Sequence, residues 1–474
     1  MSAFFRTDNR ALLPPYRPDS EVRLIPSSAD GLLLSPDWTD ELVLVEIHPE
    51  TATREGTVAS LVPVLDHLAA LGVNGVWITP IYEKGPGGNG YGNQGPHTLE
   101  PAVTGCTDVN EGWQRVRAFV DEAHRRNIRV LLDLITWGTM KNSALLREHP
   151  DWFDGEAWGG AAFNWKNDEF CEWFIQTCVT NILVTGADGY RADCEPMFAG
   201  HRIFAEIRRR LLEQDRKVLL IAEESSERGG AYDFEQDGIT GWLGWSRGEQ
   251  YQHPKAYFLE GWNIVDCVKS GELHGSAASQ RDGTSGQDKY YTYCVSNHDF
   301  QRSLVNMNRL VMGYQAIFAP YIPLWYLGSE FGMRAENQVI YFVPVDWTLL
   351  ERKENRAFFE DIAKYLRIRR TYPDIFAHWP MNHRNTNIRA VDADTELPSY
   401  ERYTENRSIF VIPNGGDSSK TYTVRTVVPE TDITLTDLST GQPHPFSRDG
   451  DTITFRADAE SAEIGVFLLE KEIK

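Results

Sequence analysis

The sequence predicts an α/β protein built on a (β/α)8 TIM barrel, with a short insertion after the third strand and an all-β sandwich at its C-terminal end. From Leu42 to about residue 375, short apolar runs of strand type alternate with longer amphipathic stretches of helical period, the rhythm of parallel βα units. Beyond RIRRTYPDIF at 367–376 the helical period stops and only strand-like pieces follow. The length of 474 residues suits this plan, because it exceeds one compact core and fits a barrel of roughly 250 residues or more with added modules.

Residues 1–40 carry Pro14, Pro15, Pro18, Pro26 and Pro36 and read as a lead-in with a strand or two. The barrel strands are expected at LVLVEIH (42–48), GVWITP (75–80), IRVLLDLI (128–135), ADGYRAD (187–193), VLLIAE (218–223), GITGWLGW (238–245), YYTYCVSN (290–297) and IPLWYLG (322–328). Between them Leu61, Leu65, Leu68 and Leu71 share one helical face, as do Trp113, Val116, Val120 and Ala123. Thr136 to about Asp168 breaks the rhythm with Trp, Gly and Pro, and reads as a small inserted lobe. After it the barrel resumes. The pieces SIFVIPN, YTVRTVV, ITLTD and AEIGVFLL then form the terminal sandwich. The expected domains are therefore 1–40, 41–379 with the lobe at 136–168, and 380–474.

Composition narrows the partners. Lys and Arg number 47 against 68 Asp and Glu, and a net charge of −21 disfavours nucleic acid and anionic membranes. A neutral substrate suits it better. The 14 Trp exceed what packing ordinarily uses, and flat apolar rings are surfaces on which sugar faces stack, although most will be core. The six cysteines show no CxxC pair or framework spacing, so neither zinc nor a disulfide scaffold is expected. Free thiols, the absence of a signal-peptide pattern and the absence of a run of about 18 apolar residues point to a soluble cytoplasmic protein.

In this barrel class the active site lies at the C-terminal ends of the strands. Asp133, Asp193 and Glu223 end strands three, four and five, and Asp299 follows strand seven, so four carboxylates converge at one mouth. Close carboxylates repel and raise one another's pKa, a costly arrangement unless it is used. Retaining glycoside cleavage uses it: one carboxylate attacks the anomeric carbon while another, protonated and about 5 Å away, donates to the leaving oxygen. Arg191, always charged, would keep Asp193 ionised. An isolated Asp at a strand end is more often a cap than a catalyst, and it is the ordered set with Arg191 that points to chemistry. Asp133 fits a structural role as well as a functional one, and Tyr91 fits simple packing of its loop as well as contact with a ligand.

These segments resemble the conserved blocks of the α-amylase family of glycoside hydrolases. GYRAD at 189–193 resembles the block in which an Arg stands two residues before the nucleophilic Asp; the resemblance implies Asp193 as nucleophile. LIAEE at 220–224 implies Glu223 as acid/base, and SNHD at 296–299 implies that His298 and Asp299 clamp the sugar. LLDLI is similar to the first block through Asp133, and Tyr91 in NGYGNQG matches an element whose ring stacks on the sugar being cleaved.

The departures bear on substrate. Where the family usually has Asn and His after the Asp of its first block, this chain has Trp137 and Gly138. The Asn commonly helps hold calcium and the His commonly touches the sugar's 6-position. Pro196 and Met197 replace the Lys and His frequent after the nucleophile, and Gly95 and Pro96 replace an Asp-Tyr pair. With the His gone, Gly138 leaving space and the Trp137 indole walling the pocket, the expected substrate is a small or modified α-glucoside or oligosaccharide, with soluble starch a poor one. The reading is a retaining hydrolase of α-glucosidic bonds working through a covalent glycosyl-enzyme, with no metal or other cofactor and a small carbohydrate as its partner. The alternatives are an α-glucan transglycosidase with the same residues, or a catalytically inactive carbohydrate-binding homologue.

Overall fold

The structure, a computed structural model, describes residues 7–18, 22–26, 32–86, 88–194, 201–222, 241–245, 290–294, 296–298, 309–318, 322–333, 343–376 and 387–471. The lead-in contributes an antiparallel hairpin, β1 (Val22–Pro26) and β2 (Leu32–Pro36). Three parallel strands follow, β3 (Leu44–Ile47), β4 (Gly75–Ile78) and β5 (Arg129–Ile135). After the lobe strands β6 (Gly138–Thr139), β7 (Phe153–Ala157) and β8 (Gly160–Phe163), the barrel resumes with β9 (Gly189–Asp193), β10 (Leu219–Ala222), β11 (Gly241–Trp245), β12 (Tyr290–Cys294) and β13 (Ile322–Tyr326). All eight barrel strands lie within the apolar runs that announce them. They close in the order β3-β4-β5-β9-β10-β11-β12-β13, with Leu324 pairing Leu44 at the seam.

Parallel strands covered by helices are buried on both faces, so they read as continuous apolar runs rather than alternating ones. Every residue of β5 is buried. The helix Val62–Leu71 seats Leu65, Leu68 and Leu71 in the core and stops at Gly72, whose φ of 107° is left-handed. The helix Val109–His124 starts where the Asp108 carboxylate accepts from Glu111 N–H, and it buries Trp113, Val116, Val120 and Ala123.

Residues 388–471 form the two antiparallel sheets of the sandwich, one of six strands and one of four. Phe410, Ile412, Tyr422, Val424, Phe455 and Phe467 are part of the core between them. The sandwich is tied to the barrel through the helix Lys353–Thr371, where the Tyr365 hydroxyl accepts from Ile464 N–H at 3.0 Å. Arg402 adds bonds to the carbonyls of Phe318 and Ile375.

Candidate active site

The centre is organised by Arg191. On β9, residues two apart face the same way, so Arg191 and Asp193 both present their side chains to the barrel interior. Register sets Asp133 of β5 directly beside Arg191. One guanidinium nitrogen, Nη1, donates to Asp193 Oδ1 at 2.8 Å and to Asp133 Oδ1 at 3.1 Å. Arg191 and Asp133 are 1% exposed and Asp193 is 6% exposed, so only Asp193 of the three keeps a measurable opening.

Aromatic groups wall the cluster. Trp77 Nε1 and the Tyr91 hydroxyl each donate to Asp133 Oδ2 at 2.9 Å. The Arg191 guanidinium carbon lies 4.6 Å from the centre of the Trp77 ring, a cation–π distance. Tyr91 stacks on His298 with ring centroids 4.8 Å apart and planes 23° apart. His298 in turn is held by Glu46: its Nδ1 bonds Oε1 and its backbone N–H donates to Oε2 at 3.2 Å.

Burial pushes the Asp133 carboxyl up from its ordinary value, and the Arg191 charge opposes that shift. Glu46 is likewise pushed up by burial, opposed by His298. Asp133, Asp193 and Glu46 thus surround two basic side chains. When all are ionised this leaves a negative centre, suited to a developing positive charge.

Of the residues picked out in the sequence, Asp133, Arg191, Asp193, Tyr91 and His298 meet in this one network. Glu223 and Asp299 lie outside the described residues. Trp137 sits elsewhere: its side chain is 4% exposed, and two of its ring carbons would lie 2.7 Å from a Cβ at Gly160 of the lobe. The space expected at Gly138 is also taken. A Cβ there would fall 2.0 Å from the Ala161 carbonyl oxygen, because β6 and β8 pair directly across Gly138 and Ala162. Glycine stands there to let the lobe strand in, so it opens no pocket, and no His side chain could occupy the position with this backbone.

Glu46 and Trp77 escaped the sequence reading. Glu46 ends an apolar run, as Asp133 and Asp193 do, so the same rule could have found it. Trp77 lies inside an apolar run and gives no signal. Nor does the position of Trp137 offer a side-chain oxygen to a cation, and no group of three or more His, Cys, Asp or Glu able to hold a metal occurs among the described residues.

With this geometry in place, comparison with known proteins is informative. The profile of the α-amylase catalytic domain matches residues 6–156, which include Tyr91 and Asp133. The chain belongs to the α-amylase family. A malto-oligosyltrehalose trehalohydrolase of Saccharolobus solfataricus is 25% identical over 384 residues, covering 69% of this chain and 65% of that protein. The α-amylase MalA of Haloarcula japonica is 24% identical over 454 residues, covering 89% of this chain and 61% of its own length. The chain therefore spans somewhat under two thirds of each of these relatives. Among solved structures, a noncanonic maltogenic α-amylase, AmyB, from Thermotoga neapolitana shares the fold at a TM-score of 0.68 and 16% identity, covering 91% of this chain and 99% of that one. In this α-amylase family member the barrel and the terminal β domain both have counterparts in that neighbour.

Proposed function

We propose that this protein is a retaining glycoside hydrolase that cleaves α-glucosidic bonds in small or modified α-glucosides or oligosaccharides. The observation that carries the reading is the Arg191 guanidinium held between Asp193 and Asp133 on adjacent strand ends, with Asp193 the more open carboxylate. An ionised Asp193 is the nucleophile: its oxygen bonds the anomeric carbon as the glycosidic C–O bond breaks. Glu223 follows Ala222, the last residue of β10, which pairs Ala192 in register. In this reading Glu223 donates its proton to the leaving oxygen, then takes one from the water that releases the sugar. Tyr91 and His298 form the floor of the subsite, and Asp299 holds sugar hydroxyls. The relatives' printed activities on α-linked glucose compounds support the substrate class.

A hydrogen bond from the family's usual His to the 6-position is excluded at Gly138, so substrates unlike a plain starch chain lose nothing there. Proton NMR of the first product from p-nitrophenyl α-D-glucopyranoside and from maltose tests the mechanism. The α-anomer is expected first, and Asp193→Asn and Glu223→Gln are each expected to lower kcat by at least about a thousandfold. First appearance of the β-anomer, or activity surviving in Asp193→Asn, refutes the proposal.

A further inference from the structure

The lobe ends in a two-residue hairpin turn, since Ala157 of β7 pairs Gly160 of β8 and leaves Trp158 and Gly159 between them. Both turn residues have positive φ, 44° and 80°, the hand that a tight hairpin turn of the I′ kind requires. Asn, Asp or Gly ordinarily fills the first of these positions, and a bulky residue there is a conformational outlier. The chain nevertheless places an indole at the tip and leaves it 60% exposed. That is the greatest exposure of any large apolar side chain on the barrel and lobe among the described residues, and it is held at the cost of backbone strain.

The indole is not a stray surface residue, because a chain of contacts connects it to the centre. The Thr136 hydroxyl bonds the carbonyl oxygen of Asp193, and Trp137 is the next residue. The Trp137 ring meets the Trp158 ring edge to face, with centroids 5.9 Å apart and planes 60° apart. Trp137 is roofed by Gly160, whose missing side chain lets the hairpin lie against the ring. Trp137 thus buttresses Trp158 in one orientation. A rigid indole face beside a sugar site loses little entropy on stacking, and the apolar face of a pyranose ring is its natural occupant.

We infer that Trp158 is a stacking platform for a hexose unit of the substrate beyond the two joined by the scissile bond, so that the lobe reads chain length. This rests on the proposed glycosidase site, and the test separates the two. Titration calorimetry of the Asp193→Asn protein compares maltotriose and isomaltotriose with methyl α-D-glucopyranoside, in the presence and absence of Trp158→Asn. Asn suits the turn, so the double variant should melt no lower than its parent. Its affinity for at least one trisaccharide should fall about tenfold, while the affinity for the monosaccharide changes by less than about twofold. Equal loss for both sugar sizes, no loss for either trisaccharide, or no trisaccharide binding to the parent would overturn the inference. Wild-type turnover by Asp193→Asn would sink the assigned chemistry instead, and leave the binding comparison standing.

Discussion

His48 shows how a single buried side chain couples this centre to pH. It follows β3, its Nδ1 lies 2.9 Å from the Thr51 hydroxyl, and Lys84 and His298 are close enough to disfavour a second positive charge. Burial, then Lys84, then His298 push its pKa from 6.5 down to about 4. Between those values the unfolded chain binds a proton that the folded chain refuses. Stability from this residue is therefore complete above about pH 6.5 and drains away as pH falls toward 4. The loss reaches roughly 3 kcal/mol. Thermal melts from pH 7 to 4.5 should fall more steeply for the wild type than for His48→Gln, and parallel slopes would contradict this. At the same scale, Arg191 and Asp193 were legible because residues two apart on a strand share a face. Glu46 shows that a rule stated for carboxylates at strand ends was applied too narrowly.

Among the elements, the lobe was the least legible. Its limits at 136–168 could be read from broken periodicity, yet its internal sheet could not, since β7 is the polar and exposed sequence FDGEA. Only its pairing with β8 makes it a strand, and such pairing carries no local signal. The barrel strands were the opposite case, because burial on two faces writes itself into composition. The lobe's attachment depends on Gly138, and Gly138→Ala must push the Ala161 carbonyl away from its present place. Differential scanning calorimetry should show this variant melting several degrees lower, with a destabilisation of about 1–3 kcal/mol. A substitution without effect would mean that β8 has room to retreat. The same crowding replaces the expectation of an opened pocket with that of a closed seam, and moves substrate discrimination outward to the hairpin tip.

Across the whole molecule, the barrel closes only when β13 reaches β3, and the centre shares this long-range character. Glu46 grips His298 across 252 positions of sequence. During synthesis β3 emerges early and then waits for about 280 more residues, roughly 15–60 s at ordinary elongation rates. Through that interval the edge of β3 that β13 will cover has no strand beside it, and an unpaired apolar edge invites pairing with other chains. The nascent protein is thus an open curved sheet with a half-made centre for most of its time on the ribosome. Chains stopped after residue 300 should sediment as aggregates and be rescued by a chaperone that holds apolar surface, whereas the full chain should not require it. Soluble, monodisperse fragments of that length would show that the barrel protects its open seam by other means.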